Sequence, residues 1–295
     1  MKKDIATLSR TLEIVKANGF NFKKSYGQNF LVDINILKKI VHIAEVTSNT
    51  CVIEIGPGIG GLTEQLAKVA KKVVSYEIDK SLLPILENAL SDYPNVKIIN
   101  EDILKADIKA MIKEEFNPNN DIYVVANLPY YITTPILMRL LEQRLPIKRF
   151  CILIQKEVAE RLCGGPNTKE YNALTIAIKY YTVPKIAFNV PRNVFIPKPN
   201  VDSAVLILEV RKEALVEVYD EGFFFRVVKG SFVQRRKTIY NNLKQSLPEF
   251  DNNIILESLN KVMIDPSLRG ESLTIEQFAE LSNELYMQRM NSHVK

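Results

Sequence analysis

The tetrapeptide Asn-Leu-Pro-Tyr at residues 127–130 places two hydrogen-bond acceptors beside an aromatic ring. The side-chain oxygen of Asn127 and the backbone carbonyl of Pro129 can each accept one N–H from the exocyclic amine of an adenine base. Such an amine is a poor nucleophile because its lone pair is delocalised into the ring, and two acceptors hold it toward pyramidal geometry. Tyr130 can stack on the same base. In isolation these residues also fit a polar turn with a buried tyrosine, so their position in the fold must decide between an adenine site and a simple turn.

A second aromatic residue, Phe195, lies in the proline-rich segment FIPKP. It is a candidate for covering the other face of the base that Tyr130 stacks on. The alternative, a phenylalanine that anchors its loop in the core, fits the same segment. No general base is needed in either case, so catalysis at this site is expected to depend on alignment and electrostatics.

A glycine-rich segment follows the first apolar run of the chain. Gly56, Gly58 and Gly61 match the G-x-G-x-x-G pattern, in which a strand turns sharply into a helix while its backbone approaches a ligand. Glu77 ends the next apolar run, where a carboxylate can accept from the vicinal hydroxyls of a ribose. Together they indicate a nucleoside cofactor, whereas the glycines alone also fit a tight turn without a ligand.

Three features favour S-adenosylmethionine over a nicotinamide cofactor. Glu54 lies two residues before the first of these glycines, and an acid there suits a cofactor with an ammonium and a sulfonium better than a pyrophosphate. After the third apolar run, the Asp102 carboxylate can accept from an adenine amine while the N–H of Ile103 donates to the ring. The third feature is that no residues for hydride transfer are evident. Tyr240 and Lys244 match the Y-x-x-x-K pattern of some dehydrogenases, but they lie far outside the apolar runs. We therefore discount a dehydrogenase.

These side chains need elements that bring them to one edge of a sheet. Seven apolar runs bounded by turn residues are typical of strands, and helical periodicity fills the intervals between the first four. The runs are residues 51–55, 72–77, 95–100, 121–127, 149–155, 183–190 and 203–210. This alternation predicts an α/β fold with a mainly parallel, seven-stranded, Rossmann-like sheet that ends in antiparallel strands. Ligands bind such sheets at the carboxyl ends of the strands.

After residue 210 the periodicity is helical, which predicts a small all-helical C-terminal domain. We divide the chain into a methyltransferase domain, residues 1–210, and a helical domain, residues 211–295. If the segment from Phe225 to Ile239 is one helix, Arg226, Lys229, Arg236 and Lys237 can share one side of it, and this face is a candidate for binding RNA phosphates. The alternative is a solvated surface. The candidate RNA-binding residues are Arg235, Arg236, Lys237 and Lys244.

The composition limits the class of protein. A net charge of +5 and a pI near 8.9 favour a polyanionic partner, and they also fit an enzyme with a basic surface. The three cysteines form no C-x-x-C pair, so we expect reduced core residues and no metal site. The chain contains neither a signal-like segment nor about 18 consecutive apolar residues. We therefore expect a cytoplasmic protein that is not bound to membranes, and a monomer, since no feature demands a second copy or an obligate protein partner.

The chain resembles the ribosomal RNA adenine N6,N6-dimethyltransferases of the small-subunit type over nearly its whole length. The matching segments are KKSYGQNFLVD, VIEIGPGIGGLT, NEDIL, NLPYYITTP, IQKEVAERL, FIPKPNVDSAV and FVQRRKTIYNNL. The resemblance implies methylation of two adjacent adenosines in a hairpin loop near the 3′ end of small-subunit rRNA, within a late precursor of that subunit. It implies cofactor contacts at Asn29, Leu31, Gly56, Glu77, Asp102 and Asn127. The residue spacing alone predicts no role for Asn29 or Leu31.

Two alternatives remain beside this interpretation. One is the related group that dimethylates a single adenosine of large-subunit rRNA, which FIPKPNVDSAV and QRRKTIYNNL match less well. The other is a noncatalytic assembly factor that uses the fold only to bind the ribosome. Intact Asn127, Pro129, Tyr130 and Glu77 argue against a purely noncatalytic role.

Overall fold

The computed structural model describes residues 3–20, 22–23 and 27–292, so residues 24–26 of the KKSYGQNFLVD segment lie outside the described residues. The chain forms two compact units. The first comprises the residues up to Ala159 together with Val183–Val210, and the second comprises Glu160–Thr182 and the residues from Arg211 onward. The units part at residue 210, where the sequence divides the chain. Residues 160–182, however, group with the C-terminal helices and not with the first unit.

All seven predicted strands are present. The described residues form these seven strands and two short ones, β1 and β8. In chain order they are β1 (Phe30–Leu31), β2 (Thr50–Ile55), β3 (Lys72–Tyr76), β4 (Val96–Ile99), β5 (Asp121–Asn127), β6 (Ile147–Gln155), β7 (Thr182–Val190), β8 (Phe195–Ile196) and β9 (Ser203–Val210). Seven of them form one sheet in the order β4-β3-β2-β5-β6-β9-β7. Strands β2 to β6 are parallel to one another, and β9 runs antiparallel to β6. The predicted Rossmann-like sheet is therefore confirmed.

Twelve α-helices accompany the strands in the described part of the chain. They are α1 (Leu8–Ala17), α2 (Ile34–Ile43), α3 (Gly61–Ala67), α4 (Leu83–Ala89), α5 (Ile108–Glu115), α6 (Thr133–Glu142), α7 (Lys156–Cys163), α8 (Ala173–Tyr181), α9 (Glu221–Ser231), α10 (Ile239–Ser246), α11 (Asn252–Lys261) and α12 (Ile275–Ser292). Among the described residues, no helix has the length and apolar character that a membrane span requires.

Strand β2 is buried along its whole length, as expected of a central parallel strand covered on both faces. The residue that follows each of three strands is held in place by one more backbone hydrogen bond to the neighbouring strand. These bonds join Gly56 N to Tyr76 O at 2.9 Å, Glu77 N to Ile99 O at 2.9 Å and Leu128 N to Leu153 O at 3.1 Å. The polar residues at this edge therefore stand on a rigid base.

A second, two-stranded sheet was not predicted. Strand β1 pairs antiparallel with β8, with Phe30 opposite Ile196 and Leu31 opposite Phe195. Helix α2 begins directly afterwards, where the Asp33 side chain accepts from the backbone N–H groups of the first turn, at 2.9 and 3.2 Å. Asp33 is therefore the N-cap of α2, and Phe30–Leu31, just before it, are extended.

Helix α8 groups with the second unit because of its aromatic side chains. The ring of Tyr180 lies 5.3 Å from that of Phe224 on α9. The hydroxyls of Tyr180 and Tyr181 both donate to the Glu221 carboxylate, at 3.2 and 2.5 Å. The apolar periodicity of α8 fits either unit, and these contacts decide for the second.

Candidate active site

One cavity lies at the carboxyl edge of the parallel strands of the first unit. Its walls include the segment 27–31, the glycine loop after β2 and the loop after β5. All predicted cofactor contacts line it, namely Asn29, Leu31, Gly56, Gly58, Glu77, Asp102, Ile103 and Asn127. Pro129 and Tyr130 line it as well. The fold therefore brings the predicted cofactor residues and the Asn-Leu-Pro-Tyr segment to a single space.

The glycine loop needs glycine at positions that the pattern only partly identifies. Gly56, Gly58 and Gly60 have φ of 70°, 60° and 90°, which side chains other than glycine rarely adopt. A Cβ on Gly58 would lie 2.9 Å from the ring of Phe30. Gly61 instead begins α3 and allows close packing on Ala6. The third conformationally required glycine is therefore Gly60, which the pattern match missed.

Glu77 presents a buried carboxylate to the cavity. Its Oε1 accepts the backbone N–H of Asp79 at 2.7 Å. Burial raises the pKa of Glu77 to about 7, although hydrogen bonds from backbone N–H groups, including that of Gly58, oppose the increase. The contact with Gly58 also links the acid to the glycine loop. An acceptor fixed in this way can bind two vicinal hydroxyls.

Glu54 is 1% exposed at the base of the cavity. Its Oε2 accepts from the hydroxyls of Thr63, at 2.7 Å, and Ser75, at 2.6 Å. Burial raises its pKa to about 7, and the charge of Glu77 adds to the increase. The carboxylate therefore has a fixed orientation before any cationic group approaches it.

Asp102 and Ile103 follow β4 at the same edge. The Asp102 Oδ1 accepts the backbone N–H of Leu104 at 3.0 Å, and its carboxylate lines the cavity from a half-buried position. Ile103 is buried beside it. The loop thus holds an acceptor and an apolar contact side by side, as recognition of an adenine ring requires.

Asn127 is oriented by a residue remote in sequence. Its Nδ2 donates to the backbone carbonyl of Asn29 at 3.0 Å, which directs the other end of the amide, the acceptor Oδ1, away from this bond. Asn29 in turn donates from its own Nδ2 to the carbonyl of Gly27 at 3.0 Å. The segment 27–31 therefore takes part in the site, although the residue spacing gave no sign of it.

The predicted role of the Pro129 carbonyl is not what the structure supports. This oxygen already accepts the backbone N–H of Ile132 at 3.2 Å and the hydroxyl of Thr133 at 3.1 Å, because it closes the turn into α6. The residue before it, Leu128, also lines the cavity. Within the described part of the chain, no donor bonds to the carbonyl oxygen of Leu128. Leu128 is therefore the better second acceptor.

The two candidate aromatic residues have different environments. Tyr130 lines the cavity, and its hydroxyl lies 2.7 Å from that of Ser203, so the ring is held in place. Phe195 is 3% exposed, belongs to a hydrophobic core cluster and is not among the residues that line the cavity. It pairs opposite Leu31 in the two-stranded sheet. Its burial favours the core alternative over the predicted role of covering the base.

Comparison with known proteins assigns the chain to a family. The model of the family described as ribosomal RNA adenine dimethylase matches residues 19–286. The chain belongs to that family. The ribosomal RNA small subunit methyltransferase A of Geobacillus sp. (strain WCH70) is 59% identical over 289 residues, which cover 97% of this chain and 99% of that protein.

Solved structures agree with the family assignment. The crystal structure of a dimethyladenosine transferase from Plasmodium falciparum matches with a TM-score of 0.72 and 26% identity, over 88% of this chain and 96% of that one. The 23S rRNA methyltransferase ErmE matches with a TM-score of 0.65 and 27% identity, over 87% and 99%. As a ribosomal RNA adenine dimethylase, the chain is an S-adenosylmethionine-dependent methyltransferase with an rRNA substrate.

The basic segment of this adenine dimethylase is not the continuous helix that was predicted. Helix α9 ends at Ser231 and α10 begins at Ile239, so residues 232–238 form a turn. The buried Asn242 side chain stabilises the turn, because its Nδ2 donates to the carbonyls of Ser231, at 3.0 Å, and Gln234, at 3.1 Å. The helical periodicity of the sequence continues through the turn and conceals it.

The four basic candidates have different surroundings. Arg235 is engaged within the second unit, where its Nε lies 3.2 Å from the Glu271 carboxylate. Lys244 is half-buried, with its Nζ 5.1 Å from the centre of an aromatic ring on its own helix. The side chains of Arg236 and Lys237 are exposed at the tip of the turn. These two are therefore the better candidates for phosphate contacts.

Proposed function

We propose that this chain transfers methyl groups to the exocyclic amines of two adjacent adenosines in the 3′-terminal hairpin loop of small-subunit rRNA, giving N6,N6-dimethyladenosine. The observation that carries the proposal is the orientation of Asn127. Its amide is fixed by Asn29 at the edge of a cavity that the cofactor residues also line. The target amine and the methyl donor would therefore meet in one space.

In this mechanism the protein binds and orients the adenine amine. The Oδ1 of Asn127 and the backbone carbonyl of Leu128 accept its two N–H groups, which directs the nitrogen lone pair toward the methyl donor. Tyr130 stacks on the base after it has left its own stack. Bound S-adenosylmethionine supplies a methyl group activated by a sulfonium. The amine becomes more acidic once it is methylated, so its excess proton is lost to water without a protein base.

The cofactor contacts follow from the same cavity. Glu77 would accept from the ribose hydroxyls, Asp102 from the adenine amine, and the Ile103 N–H would donate to the adenine ring. Gly56 and Gly58 allow the backbone to approach the cofactor closely. The other proposed contacts are Asn29 and Leu31, from the segment 27–31, together with Asn127.

We further propose that the helical domain, residues 211–295, binds rRNA phosphates. The main contacts would be Arg236 and Lys237, and Arg235 and Lys244 would contribute less because other side chains of the unit engage them. Phosphate contacts of this kind position an RNA without specifying its sequence. The partner would be a late precursor of the small subunit, bound by a monomer in the cytoplasm, where ribosomal subunits would be available as substrate.

The test is methyl transfer from labelled cofactor to undermethylated small subunits, large subunits and free small-subunit rRNA in parallel. We expect labelling of small subunits well above that of the other two. Preferential labelling of large subunits would favour the related group that modifies large-subunit rRNA. Cofactor binding without transfer to any of the three would favour a noncatalytic assembly factor.

A further inference from the structure

Asp79 is a buried carboxylate two residues beyond Glu77, 2% exposed, and it does not line the cavity. It nevertheless accepts hydrogen bonds from three side chains. The donors are Lys23 Nζ at 2.7 Å, Gln28 Nε2 at 2.9 Å and Ser81 Oγ at 2.6 Å. Burial alone would raise the pKa of Asp79, but these hydrogen bonds lower it below its usual value. The side chain is therefore an ionised anchor.

The backbone of Asp79 contacts Glu77, which is a proposed cofactor-binding residue. The backbone N–H of Asp79 donates to Glu77 Oε1 at 2.7 Å. The conformation of residue 79 therefore sets the orientation of the Glu77 carboxylate, which faces the cavity.

The side chain of Asp79 is linked through Gln28 to the segment that orients Asn127. Gln28 is held twice, because its Nε2 donates to Asp79 while its Oε1 accepts the backbone N–H of Lys23 at 2.8 Å. The next residue, Asn29, provides the carbonyl to which Asn127 Nδ2 donates. A shift of Gln28 would therefore move the carbonyl that orients the Asn127 amide.

We propose that Asp79 is a positioning residue whose carboxylate holds Gln28 and Asn29 at the cavity, and so ties the orientation of the Asn127 amide to that of Glu77. The inference rests on the proposed role of Asn127. If Asp79 acts in this way, removing its carboxylate must weaken cofactor binding and lower the turnover at saturating cofactor. Removing a residue that only stabilised the fold would change neither quantity.

The ion pair with Lys23 is not enough to explain the arrangement. The Lys23 side chain is 43% exposed, and ion pairs that solvent reaches contribute little to stability. The bond to Gln28 is different, because a buried carboxylate meets an amide N–H there, and charge-assisted bonds of this kind are strong and directional.

The experiment exchanges donor and acceptor between residues 28 and 79. In Asp79→Asn, either orientation of the new amide turns its NH2 group toward a donor of Gln28, Lys23 or Ser81. In Gln28→Glu, two carboxylates face each other. The double variant restores one donor and one acceptor at unchanged net charge. Glu87→Gln, on the exposed face of α4, is the control for the loss of one negative charge.

The readouts are the Kd for S-adenosylmethionine by calorimetry, turnover on small subunits at saturating cofactor, and the midpoint of thermal unfolding. We expect each single variant to raise Kd about tenfold and to lower turnover about tenfold, because each loses one charge-assisted bond at the site. We expect the double variant to recover most of both losses, and Glu87→Gln to match the wild type.

A lower unfolding midpoint in Asp79→Asn, with Kd and turnover unchanged, would overturn the proposal. A folded double variant no better than either single variant would overturn it too. If Asp79→Asn fails to fold, Gln28→Glu and the double variant still decide. Failure of the proposed function would look different: the wild type itself would not methylate small subunits, while the cofactor Kd series would still report on the link between Asp79 and Glu77.

Discussion

At the scale of single residues, the proposed catalysis depends on one amide whose two ends have separate tasks. The Nδ2 of Asn127 donates to the Asn29 carbonyl, and its Oδ1 is proposed to accept from the target amine. An acceptor used in the transition state matters for the chemical step and not for RNA binding, which involves other residues.

We therefore expect Asn127→Ala to lower the single-turnover rate of methyl transfer by about 10²-fold or more. Binding of small subunits should change by less than about threefold, since the altered group acts only at the chemical step. Asn127→Asp is the matched variant, because it keeps the acceptor Oδ1 but loses the donor to the Asn29 carbonyl. A near wild-type rate in Asn127→Ala would remove this side chain from the mechanism.

Glu54 gives a prediction about stability and pH. Its pKa is about 7 in the folded protein and 4.5 for the free carboxyl, so between these values the folded chain holds a proton that the unfolded chain has lost. Stability must therefore fall as pH rises through this window. Replacing Glu54 with glutamine removes that loss, which is at most about 3 kcal/mol above pH 7.

Urea unfolding without cofactor, at about pH 5 and about pH 8, checks this prediction. We expect Glu54→Gln to gain stability relative to the wild type at the higher pH and to gain much less at the lower one. The exposed Glu87→Gln variant is the control for the loss of one carboxyl group. Equal differences at both pH values would contradict the buried, protonated carboxyl.

At the scale of elements, the long strands were predictable because buried parallel strands are continuous apolar runs. Glu77, Asp102 and Asn127 followed from them, since each stands at or just after the end of a strand. The pair β1 and β8 was not predictable: each has two residues, and they are joined by pairing between positions 30 and 196. Patterns in a local window carry no information about such contacts, and for that reason Asn29 was found only through the family resemblance.

The role of Phe195 depends on this pair, because Phe195 belongs to β8 and lies opposite Leu31 of β1. As a core residue, it should tolerate Phe195→Leu with a loss of about 1 kcal/mol in unfolding free energy and nearly unchanged turnover. Tyr130→Leu, at the cavity, should instead lose most turnover while its stability changes less. Measuring turnover and urea unfolding for both variants separates the roles. A loss of turnover in Phe195→Leu as large as in Tyr130→Leu, at wild-type stability, would restore the stacking role.

At the scale of the whole molecule, the tasks that we propose for the two units are separate, because the cavity lies in the first unit and the basic turn in the second. The helical class of the second unit was predictable from periodicity, but the turn at residues 232–238 was not. The buried Asn242, on which the turn depends, is an ordinary helical residue by pattern.

The double variant Arg236→Glu with Lys237→Glu tests the task of the second unit. We expect weaker binding of small subunits and a shallower salt dependence, the slope falling by about one for each phosphate that the variant no longer neutralises. Lys109→Glu with Lys113→Glu, on the exposed face of α5, makes the same charge change in the first unit. If both pairs weaken binding equally, the effect is one of net charge and not of the turn. Cofactor affinity should be unchanged in both.

The identity of the modified nucleoside tests the proposed reaction directly. Small subunits that lack the modification are incubated with the wild-type protein and S-adenosylmethionine, and the rRNA is then digested and analysed by mass spectrometry. We expect N6,N6-dimethyladenosine at two adjacent positions of the 3′-terminal hairpin loop, and none with Asn127→Ala under the same conditions. A methyl group on any other atom or nucleoside, or equal dimethylation by the Asn127→Ala variant, would contradict it.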